Sequence, residues 1–315
     1  MKTAKLIAIA SILQAAFAAP SFAAVKIGFV STLSGPGSVL GQDQYDGFML
    51  AVEQGQGKLG GVDVQVLKED DQMKPEVGLQ VVRQLLEREK VPVITGLIYS
   101  NVMMAVHRPI TSAEVFLVGS NAGPTPITGK GCSPYFFSTS WNNDQLHEAG
   151  GELANKMGIK KIQLLAANYQ AGKDAMEGFK RTFKGQVVGE TFTQVNQPDY
   201  SVEISALAAN KPEAIYTFYP GSMGVNFVKQ YRQAGMFDKV RMLSTSTIDG
   251  STLPALQDAA LGAVTAAPYS PDLDNPANKK FADAFRKKYN REPSMYAAQS
   301  YDAASLIASA LAKTK

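Results

Sequence analysis

Residues 25–54 read VKIGFVSTLSGPGSVLGQDQYDGFMLAVEQ, and this stretch contains the pattern that decides the fold. Residues 25–31 are a short, mostly apolar run that is closed by the sequence SGPG at residues 34–37, which is typical of a buried strand followed by a loop. Over residues 42–54, apolar side chains recur every three or four positions, as they do on one face of an amphipathic helix. The stretch therefore predicts a strand, a loop and a helix, with the strand inside the protein.

The same alternation continues along the chain. In the first half, strands are predicted at residues 62–67, 91–95 and 115–119, and helices at residues 75–89 and 101–111. After an extended segment at residues 135–139 it starts again, with strands at residues 161–166, 187–192, 214–218 and 241–244 and with helices at residues 144–157, 172–183, 201–210 and 223–235. Strands that alternate with helices form parallel sheets covered by helices. The sequence therefore predicts an α/β protein of two doubly wound lobes: residues 25–140 plus 270–315, and residues 141–269.

The two ends of the chain carry separate predictions. Lys2 and Lys5 precede an apolar stretch at residues 6–17, and small residues precede a predicted cut after Ala23, so residues 1–23 are predicted to be a cleaved secretory signal peptide. The apolar stretch is well short of the ~20 residues that span a bilayer, which argues against a membrane anchor. At the other end, no strand follows the helix predicted at residues 294–312, and we expect this end to be incomplete.

Composition and motifs exclude several classes of protein. With 31 Lys and Arg against 28 Asp and Glu, the net charge of +3 is too balanced for a nucleic-acid binder. Cys132 is the only cysteine, so an intrachain disulfide and multi-cysteine metal sites are excluded, and His107 and His147 are interpreted as surface or supporting residues. The glycine spacing fits neither a dinucleotide fold nor a P-loop, and there is no nucleophile elbow. We predict no catalytic residue, metal or cofactor; a secreted enzyme and a ligand-sensing domain remain alternatives.

The loops at the carboxyl ends of the predicted strands form the candidate site, because ligands of open parallel sheets lie at that edge. These loops are rich in Ser, Asn, Gly and Tyr and poor in charge, a mixture that suits a small organic ligand. Ser100 stands at a predicted helix start, where free N–H groups favour an anion, and the loop of Asn121, Ala122 and Gly123 has no acidic side chain. We expect an apolar ring of the ligand to pack against five further side chains: Tyr99, Tyr169, Tyr219, Trp141 and Leu40.

The chain resembles the periplasmic solute-binding proteins of the branched-chain amino acid type, which are the receptors of ABC importers. The resemblance rests on five segments: residues 27–53, residues 67–96 (LKEDDQMKPEVGLQVVRQLLEREKVPVITG), residues 133–145 (SPYFFSTSWNNDQ), residues 169–174 (YQAGKD) and residues 295–307 (MYAAQSYDAASLI). It implies a type I fold of two hinged lobes that trap a ligand between them, a location in the periplasm and an inner-membrane ABC permease as partner.

The resemblance also implies roles for single residues. Ser100 matches the serine that holds the ligand carboxylate, and Asn121, Ala122 and Gly123 match the second carboxylate-holding loop. Tyr169 and Tyr219 match positions of the second lobe that close over the ligand. Thr247 stands where amino-acid binders place an acid for the ligand ammonium, and an unpaired buried ammonium is costly. We therefore expect an aromatic carboxylate of the benzoate or cinnamate type, with an aliphatic amino acid or amide as the alternative.

Overall fold

A computed structural model of the chain describes residues 23–314, so the predicted signal peptide lies outside the described residues except for Ala23. The fold is α/β with two separate sheets, as predicted. The first sheet has six strands in the order β2-β3-β1-β4-β5-β6, and every pairing is parallel except that of β2 with β3. Its strands are β1 (Val25–Ser31), β2 (Lys58–Leu59), β3 (Val62–Asp70), β4 (Val93–Gly96), β5 (Phe116–Gly119) and β6 (Phe136–Ser138).

The second sheet has five parallel strands in the order β11-β10-β9-β7-β8. They are β7 (Lys161–Ala167), β8 (Gln186–Thr193), β9 (Ala214–Phe218), β10 (Arg241–Ser244) and β11 (Val264–Thr265). The longer helices are α1 (Ser38–Gln54), α2 (Pro75–Gln84), α3 (Ser100–Ser112), α4 (Asn143–Lys156), α5 (Gln170–Thr182), α6 (Ser201–Asn210), α7 (Ser222–Gln233), α8 (Pro276–Tyr289) and α9 (Met295–Leu311).

The central strand β1 explains why helices cover both faces of the first sheet. Ile27 and Phe29 are buried on one face against Phe48 of α1, whereas Val30 is buried in the other apolar cluster with Leu85. Side chains alternate between the two faces of a strand, so a run that is apolar at successive positions needs cover on both sides. The pattern at residues 25–31 thus determined the layered architecture.

The structure refines several predicted boundaries. The short strand β2 was not predicted, β3 extends three residues beyond position 67, and β4 begins at Val93 rather than at residue 91. Pro92 precedes β4 and has no N–H to give to a sheet ladder, which accounts for the late start. None of the helices in residues 23–314 is both long enough and apolar enough to span a membrane.

The chain crosses from the first sheet to the second after β6 and leaves the second sheet after β11. Helix α9 then packs against α1, so the first lobe is built from both ends of the described chain. Gly47 allows the close approach, because a Cβ atom at this position would lie 2.0 Å from the carbonyl oxygen of Ala297. The exact lobe boundaries, at residues 140 and 270, remain predictions.

Candidate functional site

A cavity lies where the carboxyl ends of the two sheets face each other. Its volume is about 40 Å³, well below that of a typical small-molecule site, so the cavity is narrow in this structure. It is lined by Leu40, Ile98, Tyr99, Ser100, Asn121, Asn143, Leu146, His147, Tyr169, Ala171, Phe218, Pro220, Ser246, Met295 and Tyr296. Among the described residues, no Asp, Glu, Lys or Arg belongs to this lining. The site is therefore polar without carrying a charge of its own.

Ser100 is the first residue of α3 and is buried at the cavity wall. Its Oγ accepts a hydrogen bond of 3.0 Å from Nδ2 of Asn143. A hydroxyl that already accepts this bond keeps its own proton free for another acceptor. The N–H groups of the first turn of a helix have no acceptor within that helix, so hydroxyl and helix start together suit a carboxylate.

Asp174 of α5 holds Asn143 in place and connects the two lobes. Its Oδ2 accepts a hydrogen bond of 2.9 Å from Asn143 Nδ2 and one of 3.2 Å from the backbone N–H of Thr125, which lies between β5 and β6 of the first sheet. Its Oδ1 accepts a bond of 2.8 Å from Gln170. The carboxylate is buried and has donors on both oxygens, so it is a fixed point between the lobes.

Four rings of the lining contact one another in sequence. The ring centroids of Tyr99 and Tyr169 are 6.1 Å apart, and those of Tyr169 and Phe218 are 6.1 Å apart in a stacked arrangement. His147 meets Phe218 edge to face at 4.8 Å. These are the preferred distances of aromatic pairs, so the wall offers both faces and edges to a ring in the cavity.

A first-lobe loop closes one side of the cavity. Leu40 follows the short helical turn Gly35–Gly37, and its Cδ1 would lie 3.4 Å from a Cβ atom at Gly221 of the second lobe. Gly221 has a φ of 67°, a conformation that side chains other than glycine adopt at a cost. Another residue at position 221 would be strained by this backbone conformation, although its Cβ atom would make only an ordinary contact with Leu40.

Five of the ten predicted site residues line the cavity: Leu40, Tyr99, Ser100, Asn121 and Tyr169. The other five do not. Ala122 is buried and its N–H is bonded to Leu97, while the N–H of Gly123 points to Asn143 Oδ1 at 3.3 Å. Trp141 is 53% exposed and lies beside Pro268 at a separate surface opening.

Tyr219 and Thr247 are buried in the second lobe behind the cavity. The ring of Tyr219 packs between Tyr200 and Phe227. Thr247 Oγ1 accepts the N–H of Tyr219 at 2.9 Å and donates to the carbonyl of Thr217 at 3.0 Å. Successive side chains at the end of a strand point to opposite faces, so Phe218 lines the cavity and its neighbour Tyr219 does not. Ser246 lines the cavity in place of Thr247.

Sequence reasoning missed a group of lining residues on α4. Asn143, Leu146 and His147 share one face of this helix, as their spacing of three and four positions would allow. His147 is only 1% exposed, so of its two interpretations, as a surface or as a supporting residue, the first was wrong. Burial lowers its pKa to about 3, which keeps the imidazole neutral.

Buried acidic groups lie next to the site without lining it. Arg291 bridges Asp43 and Asp46 of α1, with N–O distances of 2.5 Å to each. Burial raises the pKa of Asp43 to about 6, and the Arg291 guanidinium opposes this only in part. Burial also raises the pKa of Asp249, whose Oδ1 accepts hydrogen bonds from both the N–H and the hydroxyl of Ser251.

Comparisons with known proteins agree with this architecture. The sequence profile of the family described as "Periplasmic binding protein" matches residues 24–315. A solute-binding protein of an ABC transporter from R. palustris, solved in complex with benzoate, is 30% identical, with a TM-score of 0.89 over 92% of this chain and 81% of that one. Another from Rhodopseudomonas palustris BisB5, in complex with 3,4-dihydroxybenzoic acid, is 29% identical, with a TM-score of 0.87 and the same coverage.

A curated relative carries an amino-acid name. The Leu/Ile/Val-binding protein homolog 6 of Brucella melitensis is 28% identical over 270 residues, which are 84% of this chain and 69% of that protein. The family and these relatives are solute receptors and not enzymes, so the cavity is a binding site rather than an active site. The chain belongs to the periplasmic binding protein family and is a solute-binding protein of the branched-chain amino acid type that serves an ABC transporter.

Proposed function

We propose that this protein binds a small aromatic carboxylate between its two lobes in the periplasm and delivers it to an inner-membrane ABC permease. The observation that carries the proposal is the uncharged cavity with a free Ser100 hydroxyl at one end and a ring-lined wall at the other. The benzoate-type ligands of two structural relatives, which are 30% and 29% identical, support the same class.

The carboxylate would lie at Ser100. It would accept hydrogen bonds from the serine hydroxyl and from the free N–H groups at the start of α3, and both kinds of donor favour an anion. Asn121 lines the same part of the cavity, with its Nδ2 donating to the carbonyl of Ile98 at 2.8 Å. The ring would pack against Tyr99, Tyr169 and Phe218.

An aliphatic amino acid fits this lining less well. Its ammonium needs a counter-charge when buried, and no carboxylate of the described residues reaches the cavity lining. Thr247 stands at the expected acidic position, and its hydroxyl is used by the backbone of Tyr219 and Thr217. Leucine and isoleucine remain the alternative ligands because of the names of the curated relatives.

Binding would close the two lobes around the ligand. Contacts that join the lobes near the cavity, such as Asp174 with Thr125 and Tyr99 with Tyr169, would be made in the closed form and broken in the open form. A ligand that touches both lobes stabilises the closed form by its differential affinity. The permease would then recognise the closed form.

Titration calorimetry with four compounds tests the proposal: benzoate, benzamide, leucine and isoleucine. Benzamide is the matched control, because it keeps the ring and the shape of benzoate but lacks the negative charge. We expect benzoate to bind and benzamide to be silent. Tight binding of leucine or isoleucine with benzoate silent would overturn the ligand class and leave the receptor role intact.

A further inference from the structure

One side chain of the cavity wall has an unused polar atom. The ring of His147 is almost completely buried and contacts Phe218 and Tyr216 edge to face. Its Nδ1 lies 2.6 Å from the hydroxyl of Tyr216. Its Nε2 has no hydrogen-bond partner among residues 23–314, although the ring lines the cavity. Nε2 is therefore available to a ligand that enters the cavity.

The hydrogen bonds around Tyr216 determine which nitrogen carries the proton. The hydroxyl of Tyr216 donates to Oγ1 of Thr245 at 2.9 Å. A phenol has a single proton, so the short contact with His147 requires Nδ1 to be the donor and the Tyr216 oxygen to be the acceptor. A neutral imidazole has one proton, which leaves Nε2 as a hydrogen-bond acceptor.

His147 lies about one helical turn from the residue that contacts Ser100. Asn143 contacts Ser100, and His147 follows Asn143 by four residues on the same face of α4. One helical turn rises about 5.4 Å, which is similar to the distance across a benzene ring with its substituent. A ligand whose carboxylate is at Ser100 can therefore present its far substituent to His147.

We propose that His147 determines the specificity of the second lobe, and that its Nε2 accepts a hydrogen bond from a ring hydroxyl, so that the preferred ligand is a hydroxylated aromatic carboxylate. The proposal rests on the proposed function, because it assumes a ring acid with its carboxylate at Ser100. An unsubstituted ring would leave Nε2 buried without a partner, and a methoxy group, which has no proton to donate, would place an acceptor against it. Sites built to bond a hydroxyl discriminate strongly against ligands that lack one.

Calorimetry with wild type and His147→Phe tests the assignment, using benzoate, 3-hydroxybenzoate, 4-hydroxybenzoate and 4-methoxybenzoate. In the wild type we expect one of the hydroxybenzoates to bind at least roughly ten-fold more tightly than benzoate and the methoxy compound, the range for an unmet buried acceptor. In His147→Phe this preference should disappear, so that the ratio of the affinities for the hydroxybenzoate and for benzoate falls to about one. Tyr216 keeps its bond to Thr245 in that variant, so the second lobe retains its internal support.

The chain offers a matched control in its other histidine. His107 is also buried and also meets an aromatic ring, that of Phe136, but it does not line the cavity. His107→Phe should leave the ligand preference unchanged. The nitrogen-15 spectrum of the wild-type protein adds a readout that needs no variant, because it shows directly whether Nε2 carries a proton.

The outcomes separate the two proposals. If no aromatic acid binds, the proposed function fails and the assignment of His147 fails with it. If benzoate binds as well as every hydroxybenzoate, or if Nε2 carries the proton, only the assignment fails. An equal loss of affinity for all four compounds in His147→Phe would show that the residue supports the cavity without selecting a hydroxyl, and would also overturn it.

Discussion

Asn143 Nδ2 lies 3.0 Å from Ser100 Oγ and 2.9 Å from Asp174 Oδ2, so one amide joins the first-lobe serine to a second-lobe carboxylate. The serine is thereby an acceptor toward Asn143 and a donor toward the cavity. The orientation of the Ser100 hydroxyl therefore depends on Asn143, which lies in neither of the two segments that the sequence predicted to bind the carboxylate.

Replacing Ser100 with alanine should weaken binding of benzoate by about 1–3 kcal/mol, because a charged acceptor loses one donor. Titration calorimetry measures the change. Ser112→Ala, at the exposed end of the same helix, is the control and should bind as the wild type does. Unchanged affinity in Ser100→Ala would place the carboxylate elsewhere in the cavity.

Asp174→Asn should weaken ligand binding by about 1 kcal/mol or more without unfolding the protein. The amide nitrogen that replaces one carboxylate oxygen would face a donor, either that of Gln170 or those of Asn143 and Thr125 together. X-ray scattering should show less compaction on adding ligand than in the wild type. Glu177→Gln, an exposed change on the same helix, is the control, and equal compaction in both variants would contradict this role.

Phe218→Leu should weaken binding of an aromatic acid by roughly 0.5–1.5 kcal/mol, the value of an aromatic pair beyond its burial. Tyr219→Phe should leave binding unchanged, because its hydroxyl makes only a long contact of 3.4 Å with Thr193 and its ring lies behind the cavity. Affinity measurements on the two variants compare adjacent positions. A loss in Tyr219→Phe with none in Phe218→Leu would reverse the assignment of the two side chains.

Asp43 should make the protein less stable as the pH rises. Its pKa in the folded protein is about 6, above the ordinary value near 3.8, so folding favours the protonated form. The resulting stabilisation is complete below pH ~4 and is lost as the pH rises through 6, by at most about 3 kcal/mol for this shift.

Urea unfolding of wild type and Asp43→Asn at several pH values between 4 and 7 isolates this effect. The free energy of unfolding of the wild type should fall relative to the variant over that interval. The neighbouring Asp46, Asp249 and Arg291 are present in both proteins and largely cancel in the difference. A difference that does not depend on pH would show that Asp43 does not titrate in this range.

The fold could be predicted because a strand that is buried on both faces consists of nearly consecutive apolar residues. Ile27, Phe29 and Val30 are consecutive or nearly so and all apolar, and only a sheet covered on both sides uses such a run. The short strand β2 left no such mark, since it consists of Lys58 and Leu59 alone.

The first-lobe half of the site was predictable, and much of the second-lobe half was not. Tyr99 and Ser100 are placed by the end of β4 and the start of α3, which the local sequence predicts. Phe218 was missed because a one-residue difference at a strand end exchanges the two faces. His147 was missed because its place in the cavity depends on how α4 packs against the strand that carries Tyr216, which periodicity alone does not reveal.

Because α1 packs on α9 at Gly47, the first lobe depends on a segment that is synthesised late. Synthesis from the amino terminus produces every strand of the second sheet before α9. Until that helix arrives, Phe48 and its neighbours have no cover on the side that Ala303 and Ile307 later occupy. The first lobe therefore has an uncovered apolar face until α9 has been made.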